Sequence, residues 1–425
     1  MRKMKEFLAR FVLFLSGPYI VFRIATPLLR LFLRHRTRSG VSLDKVKSVL
    51  IVHLGDMGRI IYTIPFLKEV RRHCPQATLT LITRRGVTPL VDNCPYVDEI
   101  IAYDFNESAT GWEKLKMRRR ALRLGTRHLW SRRFDLALLP RWDGSLEQDR
   151  YIAFFSGAAV RLGFYSESQD GNPVVRPEDR LLTRVLTAPN SVHEVERVLE
   201  LLRELGADAV PSRPEVWQGD RDERVITETF RHNGVTAGTR IVSIGLDGMA
   251  KRHLWSLDNY VRLGRWLVQV HGVRVVWLGS VEDKDRSVYL QEVVGRDTID
   301  LVGQLNPRQT VSLIKKSSLF IGGLGCCSRL ADACEIPSIL ICCHPIDGKP
   351  FAVDSPERSG PWKSNGIVCQ PAHPRRPCTD VCTGHAAHCI HEVSFEQVRT
   401  AVETLLPTTR TERLEQTHPT VAPAV

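Results

Sequence analysis

From residue 47 onwards, short unbroken apolar runs alternate with longer stretches whose apolar positions recur every three or four residues. Residues 48–54, 78–83, 97–103 and 135–140 have the length and continuity of strands in a parallel sheet covered on both faces. The intervening periodicity predicts helices. One spans 60–74, and another spans 193–205 with Val195, Val198, Leu199, Leu202 and Leu205 on a single stripe. Residues 206–220, with prolines at 211 and 214, read as a linker. The alternation then restarts, with strands predicted at 240–246, 273–279, 298–302, 319–323, 338–343 and 366–370. Helices follow at 257–271, 307–317 and 394–406. Two such series predict an α/β protein of two doubly wound Rossmann-like domains facing a cleft, over 41–210 and 211–407.

The flanks differ from this body. Residues 7–34 combine Phe, Leu and Ile bulk with arginines at intervals, but the apolar run 11–22 is broken by Gly17-Pro18. A spanning helix needs about 20 uninterrupted apolar residues. Segment 1–40 therefore reads as helical and membrane-interfacial, with an uncleaved anchor or a loose extension as alternatives. The Thr- and Pro-rich tail, 408–425, is predicted to be disordered.

Charge sharpens the picture. The 425 residues carry a net charge of +12. Residues 1–40 hold nine Lys/Arg against one Glu, and residues 114–133 hold nine with no acid, so the remainder is mildly acidic. Two basic zones on an acidic body indicate two anionic contacts, and no zinc-finger spacing or recognition helix points to nucleic acid. Lys116, Arg120, Arg123 and Arg127, spaced 4, 3 and 4, form one helical stripe, with Leu115, Leu122 and Leu129 on another. A phosphorylated lipid fits that stripe; a solvated face is the plain alternative. The 11 cysteines, an odd number, several of them in predicted strand and helix, fit a reducing compartment.

Two glycine loops carry the candidate chemistry. Leu54-Gly55-Asp56-Met57-Gly58-Arg59 follows the first strand, and Gly322-Gly323-Leu324-Gly325 precedes Ser328-Arg329-Leu330-Ala331. A strand, a glycine loop and a helix present backbone N–H groups and the positive end of the helix dipole to an anion, which suits a diphosphate. Gly55/Gly58 and Gly325–Arg329 are expected on opposite walls of one crevice.

These motifs resemble glycosyltransferase family 9, the bacterial lipopolysaccharide heptosyltransferases. In the amino half the likeness rests on Leu54-Gly55-x-x-Gly58, Thr63-x-Pro65 and Asn93-Cys94-Pro95-Tyr96-Val97-Asp98-Glu99-Ile100. In the carboxyl half it rests on Ser243-Ile244-Gly245, Lys251, Trp255-x-x-Asp258-Asn259-Tyr260 and Leu301-Val302-Gly303. Phe320-Ile321-Gly322, Leu330-Ala331-x-Ala333, Ile336-Pro337 and Cys378-x-x-x-Cys382 with Cys389 complete it, over roughly residues 47–405. The resemblance implies the two-Rossmann GT-B architecture and sugar transfer with inversion. It implies a nucleotide-diphosphate sugar donor (ADP-heptose or similar) on the carboxyl domain and a lipid-linked acceptor on the amino domain. No cofactor is implied, and the expected site is the cytoplasmic face of the bacterial inner membrane.

The chain departs from that pattern at the chemistry. Where the family has Gly-Asp with the general base, this chain has Gly58-Arg59, and an acid stands instead at Asp56. Where the family's donor loop runs Asp-Thr/Ser-Gly-Pro-x-His, this chain has Leu324-Gly325-Cys326-Cys327-Ser328-Arg329. Asp56 is then the candidate base, with a turn or cap residue as the alternative. Arg59 is a candidate anion ligand or structural ion pair. Lys251 and Arg329, with backbone N–H groups from Gly325 to Ser328, would hold the leaving diphosphate, Arg252 or His253 being alternatives to Lys251; Asp247 would contact donor hydroxyls or stand in a solvent-facing turn before Gly248. The tail residues Cys378, Cys382, His385 and Cys389 can ligate a structural zinc or stand as thiols. A non-catalytic relative that binds envelope glycolipid or a partner enzyme is the runner-up, and a sugar-nucleotide epimerase a weaker third.

Overall fold

The computed structural model describes residues 42–107, 109–143, 146–168, 172–246, 253–383 and 386–406. The predicted membrane-interfacial segment 1–40 and tail 408–425 lie outside the described residues, as do Asp247, Lys251 and His385. Among the described residues no helix is long and apolar enough to cross a membrane. The chain divides into two compact units between Ser212 and Arg213, inside the predicted linker.

The first unit contains β1 (Ser48–His53), α1 (Met57–His73), β2 (Thr78–Arg84), β3 (Glu99–Tyr103) and α2 (Gly111–Leu124). It continues with β4 (Leu136–Leu139), α3 (Glu147–Phe155), β5 (Val160–Phe164), a ribbon of β6 (Ser166–Glu167) and β7 (Pro173–Val174), β8 (Arg184–Leu186) and α4 (Glu194–Arg203). Its parallel sheet runs β3-β2-β1-β4-β5-β8. Ser48 registers with Thr78 on one side of β1, and Val49 with Leu136 on the other. Val49 to Val52 of β1 are fully buried, as expected for a central strand sandwiched by helices.

The second unit repeats the plan: α5 (Asp220–His232), β9 (Ile241–Gly245), α6 (Leu257–His271), β10 (Arg274–Leu278), α7 (Lys284–Val294) and β11 (Thr298–Asp300). Then come α8 (Pro307–Lys315), β12 (Leu319–Gly322), α9 (Cys326–Ala333), β13 (Ser338–Ile341), β14 (Gly366–Cys369) and α10 (Phe395–Leu405), with sheet order β11-β10-β9-β12-β13-β14. Local chemistry sets the helix ends. Ser256 accepts from Asn259 N to start α6, and Gly272 closes it at φ +60°. Asn306 and Gln309 exchange hydrogen bonds at 2.9 Å across the start of α8, where Pro307 takes the first helical position.

The basic stretch departs from expectation. It is not one helix: α2 ends at Leu124 and passes into a π-helical turn, Gly125–Leu129, then a 3-10 turn, Trp130–Arg132. Lys116, Arg120 and Arg123 therefore lie on α2, whereas Arg127 sits on the widened turn and leaves their stripe. Of the expected apolar stripe, Leu115 and Leu129 are buried, but Leu122 is exposed and Ala121 packs inwards in its place. The change of helix type occurs where α2 meets α3: a Cβ at Gly125 would lie 2.3 Å from Phe155 Cβ and 2.8 Å from its carbonyl oxygen. Gly125→Ala should cost about 2–3 kcal/mol through overpacking. Gly86→Ala, at a site open to solvent, should change stability by less than about 0.5 kcal/mol. Urea unfolding midpoints of the two variants check this, and equal midpoints would contradict it.

Candidate active site

In an open parallel sheet, ligands bind beyond the carboxyl ends of the strands where the winding direction reverses. In the first unit that point lies between β1 and β4, because β2 and β3 continue on one side of β1 and the chain then crosses to β4 on the other. The residues there are His53-Leu54-Gly55-Asp56 after β1 and Pro140-Arg141-Trp142-Asp143 after β4. They form a dense ionic cluster. Arg59 Nε lies 2.9 Å from Asp143 and 3.3 Å from Asp56, and its Nη1 lies 3.4 Å from Glu194 on α4. Arg141 faces Asp143 at 3.6 Å and Asp149 at 3.3 Å. Gly55 is required by this crowding, since a Cβ there would meet the His53 ring at 2.7 Å.

The cluster's electrostatics follow from burial and mutual proximity. Burial, reinforced by Arg141, pushes the His53 imidazole down to about 3 against the opposing pull of Asp143 and Asp56, so His53 is neutral. Burial alone would raise Asp143, yet Arg59 and Arg141 hold its carboxyl well below the usual carboxylate range. Burial would weaken the Arg59 charge, but Asp143, Glu194 and Asp56 more than compensate. Asp149 shifts the other way: desolvation raises its carboxyl despite Arg141.

Asp56 occupies the edge of this cluster. Its Oδ1 caps α1 by accepting from Arg59 N at 2.9 Å, and its Oδ2 accepts from Arg59 Nε at 3.3 Å. The cap reading is therefore correct, but 46% of the side chain is exposed. It opens into a pocket of about 620 Å³ lined by Arg84, Tyr103, Phe105, Lys116, Met117 and Arg120 among others. The structure thus brings Asp56 together with Lys116 and Arg120, while Arg123 and Arg127 lie outside the pocket lining. Arg59 is only 13% exposed and engaged by three carboxylates, which places it in a structural ion network rather than facing an incoming phosphate. Gly58 lies buried in the first turn of α1.

In the second unit the reversal falls between β9 and β12. Gly323 to Gly325 follow β12, and α9 opens at Cys326, two residues before the predicted Ser328. Gly325 N donates to Ser328 Oγ at 3.0 Å, and that hydroxyl donates to Gly325 O at 2.9 Å. Ser328 thus fastens the loop to the helix and is buried, as is Arg329. His253 is buried with Nε2 3.5 Å from Asp354. Sequence reasoning missed His53, Arg141, Asp143, Asp149 and Glu194. The available signal was charge directly after a predicted strand end, at Arg141 and Asp143.

In fold, the chain is similar to a glycosyl transferase family 9 protein from Veillonella parvula, with TM-score 0.71 and 16% identity over 87% of this chain and 98% of that one. It is also similar to the E. coli ADP-heptose lps heptosyltransferase II, at 0.64 and 16% over 87% and 100%. The E. coli heptosyltransferase WaaC, solved with ADP, matches at 0.61 and 16% over 84% and 99%. No protein-family model and no curated protein matches the sequence. The two doubly wound units define the GT-B class of fold. Within that class, the fold is the one shared by family 9 and the heptosyltransferases.

Two outcomes test the cluster. Asp143→Ala removes the carboxylate that Arg59 and Arg141 share while each keeps another acidic partner, and should cost about 1–3 kcal/mol; an unchanged urea midpoint would contradict this. The folded state refuses a proton on His53 that the unfolded chain accepts below about 6.5. Its contribution is therefore complete above that pH and declines towards about 3, by at most about 1.4 kcal/mol per pH unit. Stability measured at pH 7 and pH 5 should show a smaller acid loss in His53→Asn than in the parent chain.

Proposed function

We propose that the protein is a glycosyltransferase that moves a sugar, a heptose or a close relative, from a nucleotide-diphosphate donor to an anionic lipid-linked acceptor with inversion. The observation that carries this reading is the pocket beyond the carboxyl ends of β2 and β3, beside the reversal point of a GT-B amino-terminal unit, where a half-exposed carboxylate, Asp56, meets Lys116 and Arg120. Asp56 acts as general base and takes the proton of the acceptor hydroxyl. That oxygen attacks the sugar's anomeric carbon from the face opposite the diphosphate, which leaves with the bonding electron pair. Arg59, bonded to both Asp56 oxygens, positions the base. Lys116 and Arg120 bind acceptor phosphate.

On the donor side, backbone N–H groups of Gly325 and the first turn of α9 receive the diphosphate. Arg329, Lys251 and Asp247 complete the donor contacts, and Ser328 shapes the loop. Trp112 shares the exposed side of α2 with Lys116 and Arg123 and is 56% exposed. An aromatic beside cations suits a headgroup layer, supporting a place for this face at the cytoplasmic side of the bacterial inner membrane.

A panel of ADP- and UDP-sugars tested by thermal shift, then by transfer to lipid-linked acceptor, examines the reading. Asp56→Asn should lower kcat by about 10²–10⁴-fold with donor affinity retained. Lys116→Ala combined with Arg120→Ala should raise the acceptor KM and weaken its salt dependence, leaving the donor KM unchanged. No thermal shift and no turnover with any donor, alongside retained glycolipid binding, would favour the non-catalytic alternative.

A further inference from the structure

Between β14 and α10, from Gln370 to Ser394, the described residues show little regular structure beyond a 3-10 turn, Cys389–Glu392. Four side chains in this segment converge: ligand atoms of Cys378, Cys382, His388 and Cys389 all lie within 4.8 Å of one another. His388 Nδ1 is 3.6 Å from Cys378 Sγ and 3.3 Å from Cys389 Sγ. With Zn–S near 2.3 Å and Zn–N near 2.0 Å, a tetrahedral ion separates a sulfur from a nitrogen ligand by roughly 3.6 Å. The three cysteines are buried, at 5%, 6% and 0% exposure.

The surroundings are arranged as a metal's outer ligands are. His388 Nε2 lies 2.9 Å from Arg376 O, so the ring donates there and leaves the Nδ1 lone pair directed at the sulfurs. Thr383 N donates to Cys378 Sγ at 3.4 Å, a contact that favours thiolate over thiol.

We propose that Cys378, Cys382, His388 and Cys389 bind one zinc ion in a closed, four-coordinate structural site. Among the described residues the histidine beside the three cysteines is His388, and His385 lies outside them. On binding, three thiols release their protons to solvent, the imidazole binds neutral, and no position remains for water or substrate. The ion fastens an otherwise irregular loop to the core of the second unit. Two hydrogen bonds extend the effect: Lys349 N donates to Asp380 O at 2.8 Å within that loop, and Trp255 Nε1 donates to Val393 O at 2.8 Å just past the 3-10 turn.

Elemental analysis of the full chain, purified under reducing conditions without chelator, should find about one zinc per chain. Cobalt substitution should give thiolate-to-metal charge-transfer and intense tetrahedral visible bands. Cys378→Ser and Cys389→Ser should each reduce bound zinc more than about tenfold, whereas Cys74→Ala should keep it. Should the serine variants not fold, the zinc content and cobalt spectrum of the unaltered chain decide alone. Under about a tenth of an equivalent after incubation with zinc, iron in place of zinc, or full zinc in the serine variants would each overturn the assignment.

Discussion

Arg59 and Arg141 converge on one part-buried carboxylate, Asp143, and much of the first unit's site depends on that arrangement. Two guanidinium groups out of water are costly unless carboxylates and hydrogen bonds surround them. Here Asp56, Glu194 and Asp149 supply the remaining charge, and neutral His53 fills the space that Gly55 leaves. The consequence is geometric. Arg59 grips both oxygens of Asp56, so the carboxylate stands at the rim of the pocket in one orientation while capping α1. Preorganisation of this kind is what a general base needs, because its position is set before substrate arrives.

The same economy appears in the basic helix. Its cations are not an undifferentiated charge patch. Arg118 pairs with Glu147 and lies over Tyr151, and Arg132 pairs with Glu99, so both serve the fold. Lys116 and Arg120 turn instead to the pocket, although Arg120 also donates to Asp104 O at 2.8 Å. Helix packing decides this division: Gly125 lets α2 approach the backbone of α3, and the π-helical turn that follows rotates Arg127 away.

Central strands and capped helices were legible in the sequence because their signals are local. Helix α6 begins and ends where Ser256 and Gly272 say it should. Among the elements not foreseen, β5 and α3 carry charges in core positions. Arg150 is buried on α3 with Asp179 at 2.5 Å, and Arg161 is buried on β5 with its guanidinium on the carbonyls of Leu181 and Ala158. Tertiary partners neutralise those charges, so hydrophobic periodicity could not reveal them. The same limit explains the site. Asp56 was visible as an acid in a glycine turn, whereas Asp143 and Glu194 reach Arg59 only through the topology. His388 lies beside Cys378 and Cys389 for a similar reason, since spacing alone did not single it out.

The central claim is that the part-buried pair of Arg59 and Asp143 acts on chemistry through Asp56. A double-mutant cycle read on the transfer rate tests it most directly. Asp143→Asn should slow transfer when Asp56 is present and add no further loss in the Asp56→Asn background. Equal losses in both backgrounds, or transfer that ignores both substitutions, would contradict the account.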